Sequence, residues 1–154
     1  MDIGRLNINV GGMPTPGFGG DAAEFLELGR LVGGDLPPSY LKLVRYADGG
    51  HPEVGSCYPQ GVQSEDGLFD LDCFYALANP AVENVRDVHA RWGSLLGSGM
   101  LPLGRDGGGN QVYVALGETP ASVWLYRHEN GMRLKLANSL DAFIDSLMPN
   151  PDFI

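Results

Sequence analysis

Ser122-Val123-Trp124-Leu125-Tyr126-Arg127-His128-Glu129-Asn130-Gly131-Met132-Arg133-Leu134-Lys135-Leu136 is the stretch whose pattern decides the fold class. Two alternating runs flank Asn130-Gly131, a pair that favours a tight hairpin because both residues tolerate positive φ. Met132, Leu134 and Leu136 alternate with Arg133 and Lys135, which predicts a strand with one buried and one wet face. Trp124 and Tyr126 stand opposite Val123 and Leu125. A strand that is apolar on both faces belongs inside a sheet. Gln111 to Leu116 supplies another strand upstream, so the three predict an antiparallel meander. Beyond it, Leu140, Phe143, Ile144 and Leu147 recur at helical spacing after Asn138 or Ser139, and Pro149 follows the stop.

Working toward the start of the chain, Asn79-Pro80 reads as the opening of a helix with the stripe Val82, Val85, His89, Trp92 and Leu96, closed by Gly97. Leu68 to Tyr75 reads as a strand and Val54 to Tyr58 as a weaker one, with a polar loop between them from Pro59 to Gly67. Pro38 suits the first position of another helix, whose stripe is Tyr40, Leu41, Val44 and Ala47 and which Asp48-Gly49-Gly50 ends. The first helix follows Asp21, a cap with Glu24 three residues on, and Gly33-Gly34 stops it. Residues 1–20 carry one short alternating piece, Leu6 to Val10, and then glycine and proline at nearly every position. They are expected to form a flexible lead-in to a single domain spanning residues 21–154. The order α-α-β-β-α-β-β-β-α predicts an α+β fold: a mainly antiparallel twisted sheet of about five to six strands packed with about four helices.

Nineteen acidic residues against ten Lys and Arg give a formal charge of −9 among 154 residues. That balance argues against direct nucleic-acid binding, which needs clustered cations to displace phosphate counterions. It suits a basic partner instead. No apolar run approaches the ~20 residues that span a bilayer, so no membrane partner is expected. The two cysteines, Cys57 and Cys73, are too few for a disulfide scaffold and lack the paired spacing of a zinc site. A cytoplasmic protein is the expectation.

The motifs that could carry chemistry have simpler readings. Gly104 to Asn110 is rich in glycine, but it leads into a strand rather than a helix N-terminus and lacks the spacing of a phosphate cradle. Asp70 and Asp72 share one face of a strand, and two carboxylates fall short of the ligand count of a typical divalent-ion site. His51 and Cys57 could be imagined as base and nucleophile, yet no local motif supports the pair. We therefore expect no catalytic residue, no metal and no cofactor. Exposed acids and one aromatic are the candidate partner contacts: Asp48, Glu53, Tyr58, Glu65, Asp66, Asp70 and Asp72. The Trp124 face leaves room for a second copy of the chain.

Three segments together resemble a known family. Leu36-Pro37-Pro38-Ser39-Tyr40-Leu41 running to Asp48-Gly49-Gly50 is similar to the opening signature of the SUKH (Smi/Knr-like) superfamily. Met100 to Asn110, with Asp106-Gly107-Gly108-Gly109, resembles its glycine loop before a strand. Val123 to His128, with Leu136 to Leu140 and Phe143-Ile144, resembles its final strands and closing helix. The matches lie in order across about residues 21–148. The resemblance implies an α+β fold and a binding role without catalysis. It points to a cytoplasmic bacterial immunity protein that neutralises a cognate toxin, frequently a nuclease. The alternative it implies is a regulatory or scaffold module of the same fold with a non-toxin partner, as in fungal relatives. The carried-over residues Leu36, Pro37, Tyr40, Gly49, Gly50, Asp106, Gly107, Gly108 and Gly109 have architectural roles in that pattern.

Overall fold

The computed structural model describes residues 1–60 and 67–153. Its elements run β1 (Ile8–Val10), β2 (Met13–Pro14), α1 (Ala23–Val32), α2 (Pro38–Tyr46), β3 (His51–Pro52), β4 (Ser56–Cys57), β5 (Phe69–Phe74), α3 (Val85–Leu96), β6 (Met100–Asp106), β7 (Gln111–Ala115), β8 (Ser122–Tyr126), β9 (Arg133–Ala137) and α4 (Leu140–Ser146). The larger sheet is six-stranded and antiparallel in the order β4-β5-β6-β7-β8-β9, and a three-stranded sheet has the order β2-β1-β3. The fold is α+β, as the meander and the flanking helices predict.

The larger sheet curls. The Gln60 amide, just past β4, donates to the Lys135 carbonyl on β9 at 3.2 Å, so the two ends of the sheet approach each other. The inner face carries Leu71, Leu101, Leu103, Val112, Val114, Val123, Leu125 and Leu136. These residues form one core with Phe25 and Leu28 of α1, Leu43 and Val44 of α2, and Phe143 and Ile144 of α4. The outer face of β7 and β8 has a smaller cluster, Tyr113, Ala115 and Tyr126, under Leu96 and Trp92 of α3.

Three segments differ from the expectation. Met100–Asp106 is a strand, not part of a loop. Pro102 and Gly104 obscured it. They are accommodated at a register shift, where a strand tolerates the lost donor and the missing side chain. Gly104 is needed there because an added Cβ would lie 2.3 Å from the Cys73 carbonyl oxygen. The third helix begins at Val85 rather than at Asn79-Pro80. Asn79 Oδ1 accepts from Ala81 N in a local turn, whereas Asn84 caps the helix by accepting from Arg86 N. Residues 1–20 pack onto the domain. Leu6 is 0% exposed, Ile3, Ile8 and Phe18 are buried, and β1 pairs with both β2 and β3.

Candidate functional site

The outer face of the curled sheet changes character from one edge to the other. β4 is a short edge strand paired with β5, so Ser56 lies opposite Asp70 and Cys57 opposite Phe69. Alternation turns Phe69 and Leu71 inward and leaves Asp70 exposed. Asp70 Oδ1 accepts from Ser56 Oγ at 2.7 Å. Tyr58, 41% exposed, follows directly after β4. Glu53 is exposed in the turn that joins β3 to β4, where its amide donates to the Leu6 carbonyl.

Asp72 is different because its charge is already spent within the chain. It pairs with Arg105 of β6, and its Oδ1 lies 3.8 Å from His51 Nδ1. The same His51 nitrogen meets the Asp72 carbonyl oxygen at 2.7 Å. Arg105 Nε reaches Glu83 at 3.6 Å, and Glu83 pairs with Arg91. A row of alternating charges, Asp72, Arg105, Glu83 and Arg91, therefore crosses from β5 to α3. Sequence reasoning does not reach Arg105 and Glu83 as partners, because Pro102 and Gly104 give the strand that carries Arg105 the local signals of a loop.

Asp48 is not a surface contact. It is 3% exposed, and its two carboxylate oxygens accept from the amides of Leu77 (2.6 Å), Ala78 (2.9 Å) and Asn79 (2.9 Å). This is an internal anion held by a turn of backbone, where charge-assisted bonds offset its desolvation. Gly49 and Gly50 follow with φ of 77° and 123°, a conformation that keeps them glycine. Tyr40 lies buried nearby. Its hydroxyl pKa is raised by burial and, to a lesser degree, by the Asp48 charge. Pro37 caps α2 from extended backbone, and Leu36 packs half-buried against the core. Glu65 and Asp66 fall outside the described residues.

The Asp106 loop closes on itself. Asp106 Oδ1 accepts from Gly108 N and Asn110 N, and Gly109 adopts φ 83°. Gly107 and Gly108 line an open hollow of about 340 Å³ with Asp70, Asp106, Phe69, Leu125 and Arg127. The loop is a shaped turn between β6 and β7, with no helix N-terminus behind it.

At the opposite edge the outer face becomes aromatic and cationic. Lys135 Nζ lies 5.8 Å from the Trp124 ring centroid. Arg133 lies over the Tyr113 and Tyr126 rings and donates to the Leu95 and Leu96 carbonyls at 2.9 Å, closing the end of α3. Part of the Trp124 face is thus covered by this chain's own helix.

Several arginines share a pattern. Arg5 donates to the Ile144 and Leu147 carbonyls, Arg45 to those of Phe18 and Gly20, and Arg86 to that of Leu77. Arg133 does the same, so among the described residues four arginines bind backbone carbonyls. Cys57 is buried at the β4 edge, and burial raises its thiol pKa from 9.0 to about 11, the reverse of what a nucleophilic thiolate requires. Among the described residues, no three His, Cys, Asp or Glu side chains gather as a metal site.

A family model described as the SMI1 / KNR4 family (SUKH-1) matches residues 19–146. No curated protein matches the chain.

Proposed function

The chain belongs to the SMI1 / KNR4 family (SUKH-1), and from that premise we propose that it is a protein-binding module, an immunity protein that neutralises a basic toxin by covering its active surface. The distribution of charge carries this reading. Arginines that close helix ends and loops do their work against backbone carbonyls, while Glu53 and Asp70 stand exposed in a chain of net charge −9. Such a surface attracts a positively charged partner and speeds its encounter. A nuclease is the suitable partner class, since its substrate-binding surface is built to receive phosphates. The action is stoichiometric occlusion in the cytoplasm, without a reaction step.

The test pairs the purified chain with the toxin domain encoded beside its gene. Expected are a 1:1 complex, loss of toxin activity, and a Kd that rises about tenfold or more between ~0.05 and ~0.5 M salt. A complex with intact toxin activity would defeat the occlusion mechanism. Specific, stoichiometric binding to a signalling or envelope protein instead would favour the scaffold alternative.

A further inference from the structure

Residues 1–18 lie outside the stretch matched by the family, yet they are packed against it. β1 adds to the edge of β3, with Ile8 opposite Pro52 and Asn9 opposite His51. The Leu6 carbonyl accepts from the Glu53 and Val54 amides, Phe18 N donates to the Val44 carbonyl, and Asp48 N donates to the Pro16 carbonyl. Arg5 reaches across to the last carbonyls of α4. We propose that the β3 edge and the adjoining slot form a self-complementary docking surface. The chain's own residues 1–18 fill it in cis, and the same segment of a second copy fills it in trans, giving a strand-exchanged dimer. This inference is independent of the toxin reading.

The contacts between this segment and the body do not depend on which chain supplies the segment. The segment also carries its own hairpin, turned at Gly11-Gly12, both at positive φ, where Asn9 Oδ1 accepts from Gly12 N. It can therefore move as a unit. Its only covalent tie to the body is Gly19-Gly20-Asp21-Ala22, four exposed residues that reach about 13–14 Å when extended. Exchange of identical elements through such a hinge builds a closed two-fold dimer without any new interface.

The hinge is held shut in two ways. Arg45 Nη1 donates to the Gly20 carbonyl in the bend itself (2.7 Å), a bond that opening the hinge breaks, whereas its bond to the Phe18 carbonyl (3.0 Å) re-forms in trans. The bend is also tight. A Cβ on Gly20 would lie 2.5 Å from Cζ of Phe18, a ring that is itself buried, whereas a Cβ on Gly19 would meet nothing within 4 Å. Opening the hinge relieves the first contact and leaves the second position indifferent. The cis segment competes at an effective concentration of order mM, so the chain is monomeric at micromolar concentration and exchanges near ~1 mM.

The full chain and its Gly20→Ala, Arg45→Gln and Gly19→Ala variants are incubated at about 1 mM with gentle warming, diluted to micromolar, and their masses read by light scattering after gel filtration. We expect a discrete dimer that persists after dilution, because its return requires both exchanged segments to leave their slots. Gly20→Ala raises the dimerisation constant about a hundredfold, since each of the two hinges releases one strained close contact on the scale of about tenfold. Arg45→Gln raises it several-fold, and Gly19→Ala matches the parent chain. Isotope-filtered spectra of a mixed-label dimer place Leu6 and Ile8 of one copy against the other. The proposal is overturned by monomers alone in all four proteins. It is equally overturned by a dimer that separates within the mixing time, or by one that Gly20→Ala and Gly19→Ala populate alike.

Discussion

Asp48 shows how much one residue can do away from any interface. Its carboxylate closes three amides of the turn that leads from β5 toward α3. Asp48→Asn replaces one acceptor oxygen with an NH₂ facing buried donors. We expect a loss of about 3 kcal/mol, read from the urea midpoint, with partner affinity unchanged where the variant remains folded. The buried acids act at the other end of the pH scale. Burial raises Cys57 from 9.0 to about 11 and also raises Tyr40 and Tyr75. An unfolded thiol ionises near 9.0 while the folded one stays protonated, so the unfolded state binds fewer protons and stability falls as pH rises. Between that value and about 11, Cys57 alone contributes a fall of up to ~1.4 kcal/mol per pH unit. Urea unfolding at pH 7.5 and at pH 10 should show it, and Cys57→Ala should flatten the dependence.

The elements were legible to different degrees. The meander and α4 could be read because alternation, Asn-Gly and helical spacing are local signals, and of the two starts offered, Asn138 or Ser139, Ser139 caps α4 by accepting from Ala142 N. β6 was hidden because Pro102 and Gly104 carry loop signals that only the neighbouring strands override. The packing of residues 1–18 was hidden because a three-residue strand gains its stability from β3, some forty residues away. The attachment of α3 to the sheet also had no local signal. It rests in part on Arg133, whose planar fork reaches the Leu95 and Leu96 carbonyls and the Tyr113 hydroxyl. Arg133→Met should cost roughly 1–3 kcal/mol, and Arg133→Lys should recover only part, since an ammonium cannot span both carbonyls in one plane. Hydrogen exchange in the last turn of α3 should quicken in both variants, more in Arg133→Met.

Over the whole molecule, the candidate surface could be read as acidic but not mapped. Asp48, Asp70 and Asp72 look equivalent as letters, yet one is internal, one is exposed and one is neutralised by Arg105. Partner contact is therefore best tested at Glu53 and Asp70. Their joint reversal to Lys should slow association about tenfold at low salt, and the difference should shrink at high salt, as stopped-flow kinetics would show. Reversing Asp72 would also break its pairs with Arg105 and His51, confounding affinity with stability.

The arginine-to-carbonyl bonds described above have one more consequence. The scaffold is fastened from within, by side chains whose partners are main-chain atoms that no point mutation can delete. Exposed carboxylates such as Glu53 then carry little architectural duty, and exchanging one changes stability by only about half a kcal/mol. The surface can be rewritten letter by letter while the body stays folded, so a lineage of such chains could follow a changing opponent without ever passing through an unfolded intermediate sequence.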